Sequence, residues 1–174
     1  TAFWMNIVNR HHILPTLNAQ QVKHDQAEQI SGEYMTEHYL TRNSGCVSCP
    51  IRCERRLMLD GKEIKGPEYE TLGLLGANLG ITDLEYINQW NYQCDLLGID
   101  TMSLGVTLSL AMELSQRGLK DYGLNFSNPD NISTAIEKIA RREEPFDELG
   151  EGSAWLARKY DALGFAIQVK GLEL

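Results

Sequence analysis

Apolar residues recur at helical spacing along most of the chain, and capping and breaking residues punctuate them. Ile87, Trp90, Cys94 and Leu97 follow steps of three, four and three, one face of a helix turned to a core. T-D-L-E at 82–85 reads as a capping box that starts this helix, and Gly98 stops it after Leu97. A further helix is predicted over roughly 102–117, ending at Gly118. N-P-D-N-I-S opens another near 130–141, and a last one spans about 151–161. Upstream, Trp4, Ile7 and Val8 mark an opening helix, a loop surrounds Pro15, and Ser31 caps a helix over about 31–41. Pro67 opens one more at its favoured first-turn position. The β signal is small. R-L-M-L-D-G-K-E-I-K reads as a hairpin, because Asp60-Gly61 suits a type I′ turn, and F-A-I-Q-V at 165–169 reads as a strand. The expected fold is mainly α: a multi-helical domain with a small β-hairpin.

Composition narrows the classes. The chain has 174 residues, 43% hydrophobic and 23% charged, enough for one sizeable core or two small ones. Its net charge is −8, and its longest basic runs are Arg55-Arg56 and Arg141-Arg142, so phosphate-led nucleic-acid binding is excluded. The longest apolar stretches fall far short of a membrane span, and no signal peptide opens the chain. It starts T-A-F-W and stops on G-L-E-L, so both ends read as cuts in a longer chain. A cytoplasmic location is expected, since the four cysteines do not form a secreted disulfide pattern.

Three of those cysteines fall within C-V-S-C-P-I-R-C at 46–53. C-x2-C-x3-C puts three sulfurs on one tight loop, and Gly45 and Pro50 keep it from being helical. A buried trio of reduced thiols is the plain reading. Zinc is a second, but His11, His12, His24 and His38 all precede the loop and none follows it. An iron–sulfur cluster at Cys46, Cys49 and Cys53 is the third and is preferred. Cys94 belongs to the core stripe as a small buried hydrophobe, which leaves the fourth ligand beyond residue 174.

Two pairs of acids stand out. Asp95 falls in the last turn of its helix, where the dipole disfavours a carboxylate, and Asp100 follows just past Gly98. They are either a solvated helix end or two acceptors awaiting a metal or an N–H-rich ligand. Glu68 and Glu70 follow Pro67, where the dipole favours acids whatever their role. Arg52, Arg55 and Arg56 either offset a negative centre or form a solvated basic face. Trp90 and Trp155 read as core, S-A-W-L-A-R-K-Y as an ordinary amphipathic helix, and no histidine is given a role.

C-V-S-C-P-I-R-C, then G-P-E-Y-E-T-L, then D-L-L-G-I-D, resembles the aldehyde ferredoxin oxidoreductase family of tungsten, sometimes molybdenum, enzymes. L-P-T-L-N before the cysteines, L-G-E-G-S later and V-K-G-L-E-L at the end extend the likeness over almost the whole chain. The resemblance implies the helical middle region of a larger multidomain enzyme. Residues 1–100 would be a first helical part with the cysteine loop and a pterin motif, and 101–174 a truncated second part. It implies that Cys46, Cys49 and Cys53 ligate a [4Fe–4S] cluster, with a fourth cysteine from a D-x-x-G-L-C-type motif absent here. It implies that Asp95, Gly98, Ile99 and Asp100 bind one of two pterins, where a carboxylate accepts two parallel N–H bonds. It implies that Glu70, or secondarily Glu68, serves as general base or acid toward the substrate. The full enzyme would oxidise an aldehyde to a carboxylate and pass electrons through the cluster to ferredoxin or a similar carrier. The implied partners are the remaining domains and, as one option, a second copy; nucleic acid and membrane are not among them. The alternative is a zinc-stabilised helical interaction module without catalysis. A ferredoxin-like electron carrier is disfavoured, because most of the chain would have no task.

Overall fold

The computed structural model describes residues 3–173. Seven α-helices carry it: α1 (Trp4–Arg10), α2 (Gly32–His38), α3 (Tyr69–Thr71), α4 (Leu84–Leu97), α5 (Thr101–Gln116), α6 (Ile132–Arg141) and α7 (Ser153–Lys159). Five short strands complete it: β1 (Leu40–Ser44), β2 (Glu54–Leu59), β3 (Lys62–Lys65), β4 (Gln168–Val169) and β5 (Leu172–Glu173). The expected mainly α class holds.

α5 is the axis of the molecule. Every residue from Leu104 to Leu114 is buried, so this helix is buried all round rather than along one stripe. Gly105 lets the chain after α3 lie directly on it, since a Cβ there would stand 2.8 Å from the Leu74 backbone. That chain continues α3 as a π-helical turn, Leu72–Gly76, and a 3₁₀ turn, Ala77–Leu79, and all of it is buried. Asn18, Ser109 and Glu113, which enter this core, are paired with one another, whereas the buried Asn88 amide finds no partner among the described residues. Asn18 Nδ2 donates to Glu113 Oε2 at 2.6 Å, and Ser109 Oγ to Asn18 Oδ1 at 2.9 Å. One apolar cluster runs from Met5 to Ala162 and draws on both halves of the sequence. No single helix among the described residues is long and apolar enough to cross a membrane.

α4 joins α5 at a corner, the two axes meeting at 117°. Asp83, not Thr82, caps α4, with its carboxylate accepting from Glu85 N–H at 2.9 Å; the T-D-L-E box is displaced by one residue. Gly98 ends the helix in the left-handed conformation at φ 69°, and the Ile99 N–H donates to Cys94 O at 3.0 Å. Ile87, Trp90 and Cys94 are buried as the stripe predicts, whereas Leu97 at the corner is 39% exposed.

Several boundaries depart from expectation for identifiable reasons. α2 is capped by Ser31 Oγ, which accepts from Tyr34 N–H, but it ends at His38 because Leu40–Ser44 is taken into a sheet. The hairpin therefore supplies the central and one edge strand of a three-stranded antiparallel sheet, β1-β2-β3. β1 was invisible to pattern because L-T-R-N-S is an edge strand with its middle residues exposed. Asp60 and Gly61 do adopt the two positive φ values, 48° and 75°, of the expected turn. Pro67 does not begin α3: Glu68 is its extended N-cap and Tyr69 its first residue. In α1 the buried side chains are Met5 and Val8, while Trp4 and Ile7 stay partly exposed. The last helix, expected over about 151–161, is α7 and starts at Ser153, because Gly152 takes φ 85° and separates it from a preceding 3₁₀ turn, Phe146–Glu151. Glu173 Oε1 accepts from both Ser153 N–H (2.8 Å) and Ser153 Oγ (2.9 Å), tying β5 to the start of α7. The expected strand 165–169 shrinks to Gln168–Val169 paired with Leu172–Glu173. Trp90 is fully buried and Trp155 is partly buried against the core; Leu174 of V-K-G-L-E-L lies outside the described residues.

Candidate functional site

The corner between α4 and α5 forms one wall of a cavity of about 300 Å³. Asp95 comes from the last turn of α4, Ile99 from the bend, and Asp100, Thr101 and Met102 from the first turn of α5. The opposite wall is the segment leaving β3, Lys65 to Thr71, which contributes Glu68 and Glu70. Four carboxylates thus share one cavity with a single lysine, Lys65, in its lining. Asp95 and Asp100 fall together because Gly98 reverses the chain; Glu68 and Glu70 reach them only through tertiary packing.

The carboxylates are not equivalent. Asp100 caps α5, its Oδ2 accepting from Ser103 N–H at 2.7 Å. That explains its place in the sequence without a ligand and leaves Oδ1 for other donors. Asp95 is exposed, lies at the negative end of α4, and has no capping duty. Glu68 is half-buried at the N-cap of α3, and Glu70 is exposed in its first turn. Behind the wall, Cys94 is fully buried. Burial first, and then the charges of Asp95 and Asp100, push its thiol up to about 12, well above the 9.0 of an ordinary cysteine. Such a thiol does not ionise readily, as the core reading of Cys94 requires.

The cysteine loop, residues 45–53, joins β1 to β2 and is pinned at its neck. Ser44 pairs with Glu54 across the sheet, and a Cβ on Gly45 would stand 2.8 Å from Arg52 Cα. Inside the loop Cys49 N–H donates to Cys46 O at 3.0 Å, and Ser48 and Arg52 take positive φ. Cys46 and Cys53 are exposed and Cys49 is half-buried. All four cysteines are free thiols. Among the described residues no three His, Cys, Asp or Glu side chains gather where a single ion would sit.

The sheet relates the loop to the cavity. β2 begins at Glu54, next to Cys53, and pairs antiparallel with β3, which ends at Lys65. Gly66 N–H extends that pairing by donating to Arg55 O at 2.8 Å. The end of the cysteine loop and the start of the G-P-E-Y-E segment therefore emerge side by side. Of the three nearby arginines, Arg56 pairs with Glu54 at 2.5 Å, while Arg55 and Arg52 donate to the backbone oxygens of Cys53 and Asn43.

Sequence reasoning missed Lys65, Asn91, Thr71 and Thr101, all of which line the cavity. Asn91 had a usable signal, a polar residue four before Asp95 and so on the same face of α4. The threonines had none, since their pairing is long-range. Beyond Ile99 and Asp100 lies a wider cavity of about 490 Å³, bounded by Arg142 and Gly150 to Gly152.

The chain matches the family described as aldehyde ferredoxin oxidoreductase, domains 2 and 3, over residues 1–174. It is 45% identical over 183 residues to the tungsten-containing aldehyde ferredoxin oxidoreductase of Pyrococcus furiosus, covering 100% of this chain and 30% of that protein. It is 44% identical to the protein of the same name from Thermococcus kodakarensis, again covering 30% of its length. It is 29% identical over 174 residues to an aliphatic sulfonate oxidoreductase, WOR-like subunit, of Pyrococcus furiosus, covering 91% of this chain and 28% of that one. In structure it resembles the active site complex BamBC of benzoyl coenzyme A reductase, with a TM-score of 0.76 and 20% identity over 93% of this chain and 26% of that one. The last likeness speaks to fold alone. This chain belongs to the aldehyde ferredoxin oxidoreductase family, in the region of its domains 2 and 3, and spans about 30% of the length of those relatives.

Proposed function

We propose that this chain supplies the cluster loop and one pterin-binding corner of an enzyme that oxidises aldehydes to carboxylic acids. The single observation that carries the reading is that one cavity collects Glu68, Glu70, Asp95, Ile99 and Asp100, residues from two segments separated in sequence. Family membership favours this over the zinc-stabilised interaction module.

The residues present fit the implied groups in donor chemistry. Three accessible thiols on a neck-pinned loop suit a [4Fe–4S] cluster, with a fourth cysteine from elsewhere, since Cys94 is sealed in the core. Asp95 and the free Oδ1 of Asp100 suit the paired N–H groups of a pterin edge. When bound, the tungsten or molybdenum pterin would supply two-electron redox chemistry and the cluster a one-electron path to ferredoxin.

The chain's own contribution is to bind, orient and handle protons. Asp95 is held by α4 with its carboxylate at the negative helix end, so an N–H-rich ligand there relieves a repulsion. Aldehyde oxidation to a carboxylate consumes water and releases protons as it yields two electrons. Glu70, exposed in the cavity, takes one of those protons at its carboxylate, and Glu68, half-buried at the N-cap of α3, is second in line. The enzyme would work in the cytoplasm.

The test uses the full-length enzyme prepared without oxygen. Iron with acid-labile sulfide, plus tungsten or molybdenum, is the expected content. Glu70→Gln should lower kcat roughly 10²-fold or more with pterin retained, the scale of losing a general base. Asp95→Asn should lose pterin while keeping the fold. Stoichiometric zinc without sulfide, or a metal-replete Asp95→Asn enzyme of unchanged activity, would reverse the assignment.

A further inference from the structure

The two walls of the cavity come from different parts of the chain, so their spacing is set by whatever crosses between them. Among these are two polar contacts. Asn91 Nδ2, on the α4 wall, donates to Lys65 O at 3.0 Å, where the opposite wall begins. Thr71 Oγ1 meets Thr101 Oγ1 at 2.8 Å, where that wall ends. Both anchors are largely out of water, Asn91 at 6% exposure and Thr71 at 5%. A buried polar group left unpaired is costly, which makes each tie a strong constraint on spacing.

The ties stand beside the carboxylates. Thr71 directly follows Glu70, and Thr101 directly follows Asp100. Asn91 lies one turn before Asp95 on the same face of α4. We propose that Thr71 is a positioning residue: its hydroxyl, bonded to Thr101, holds the proton-handling Glu70 at a fixed separation from the Asp95 and Asp100 corner. The inference rests on the role given to Glu70 above. Thr71 touches no reacting atom and acts through its neighbour. α3 is only three residues long and passes at once into a π-helical turn, so its own helical bonds fix Glu70 weakly. The hydroxyl pair supplies what the helix lacks.

Thr71→Val keeps the branched shape and removes the hydroxyl; Thr71→Ser keeps the hydroxyl. In the full-length enzyme Thr71→Val should lower kcat roughly tenfold to a hundredfold, the scale of a misplaced catalytic group, with KM little changed. Its tungsten and pterin content should stay near wild type, and its melting temperature should fall by a few degrees at most. Hydrogen exchange should quicken at amides 68–72 and not within α5. The limb of the kcat pH profile that reports Glu70 should move, and Thr71→Ser should restore both rate and profile. Equal losses in the valine and serine variants, a loss of pterin in Thr71→Val, or its full kcat with an unmoved profile would each overturn the proposal. If Thr71→Val does not fold, Thr101→Val cuts the same bond from the other wall and is held to the same outcomes. Glu70→Gln separates the two levels. Full activity there removes the reading on which this rests, whereas loss there beside a normal Thr71→Val removes this proposal alone.

Discussion

α5 and the cysteine loop solve opposite problems. α5 buries eleven consecutive residues, Leu104 to Leu114, and each large apolar side chain among them contributes about 1.5–3 kcal/mol by leaving water. The loop buries almost nothing: Val47 is 97% exposed and Ile51 78%. Its shape comes from backbone devices, the Ser44–Glu54 pairing, the Gly45–Arg52 approach and two positive φ angles. Stability is concentrated where there is no chemistry, and the thiols sit where little packing energy is at stake. The two regions should therefore fail independently.

The largest effect should come from the loop. Cys49→Ser in the full-length enzyme should abolish cluster iron, read by iron and sulfide analysis, while leaving the helical circular dichroism of this region intact. Cys94→Ala, at the buried core cysteine, should do the reverse: full iron, and a loss of about 1 kcal/mol in stability from one small buried side chain. Equal iron loss in both would end the separation between ligand and core cysteine.

The core can be broken at Gly105. A methyl group there would stand 2.8 Å from the carbonyl carbon and oxygen of Leu74, which are backbone and cannot rotate away. Gly105→Ala should cost about 1–3 kcal/mol, the usual range for overpacking, and should lower the melting temperature. Cluster iron should survive it. If iron falls in step with stability, the loop is not independent of the α5 packing.

The same contrast governs what could be read in advance. The α4 stripe, the Gly98 stop and the Asp60-Gly61 turn are local devices, and each appears where the pattern puts it. The cysteine spacing and the acids of the corner were legible for the same reason. What pattern could not give was pairing across distance. β1 is polar and edge-exposed, so nothing in L-T-R-N-S announces that it closes the cysteine loop. The Thr71–Thr101 bond links residues thirty apart. Asp100 was legible as an acid but not as the cap of α5, because one residue serves both the bend and the helix. Glu173 lies where a Cβ on Gly152 would stand 2.9 Å from its Oε1, a long-range approach that no local signal shows.

The smallest effect expected belongs to the core side, at a place where charge helps hold a helix to it. Glu148, in the 3₁₀ turn before α7, accepts from Tyr122 Oη at 2.8 Å and Tyr160 Oη at 2.6 Å on one oxygen. Its other oxygen meets Lys159 Nζ at 2.8 Å. Burial works to raise its pKa, but the bonds from Lys159, Tyr160 and Tyr122 outweigh it and hold the carboxyl down to about 2, against an ordinary 4.5. A carboxylate depressed on folding stabilises the folded state above its unfolded pKa. That stability drains away as pH falls from about 4.5 toward 2. Because Lys159 is 42% exposed and the pair is screened by water, the contribution is on the order of 1 kcal/mol rather than the full value of the shift. Glu148→Gln should therefore melt a few degrees below wild type at pH 7, with the gap closing by pH 2–3. A gap independent of pH would mean that shape, not charge, seats α7, and the core would then owe nothing to ion pairing at this point.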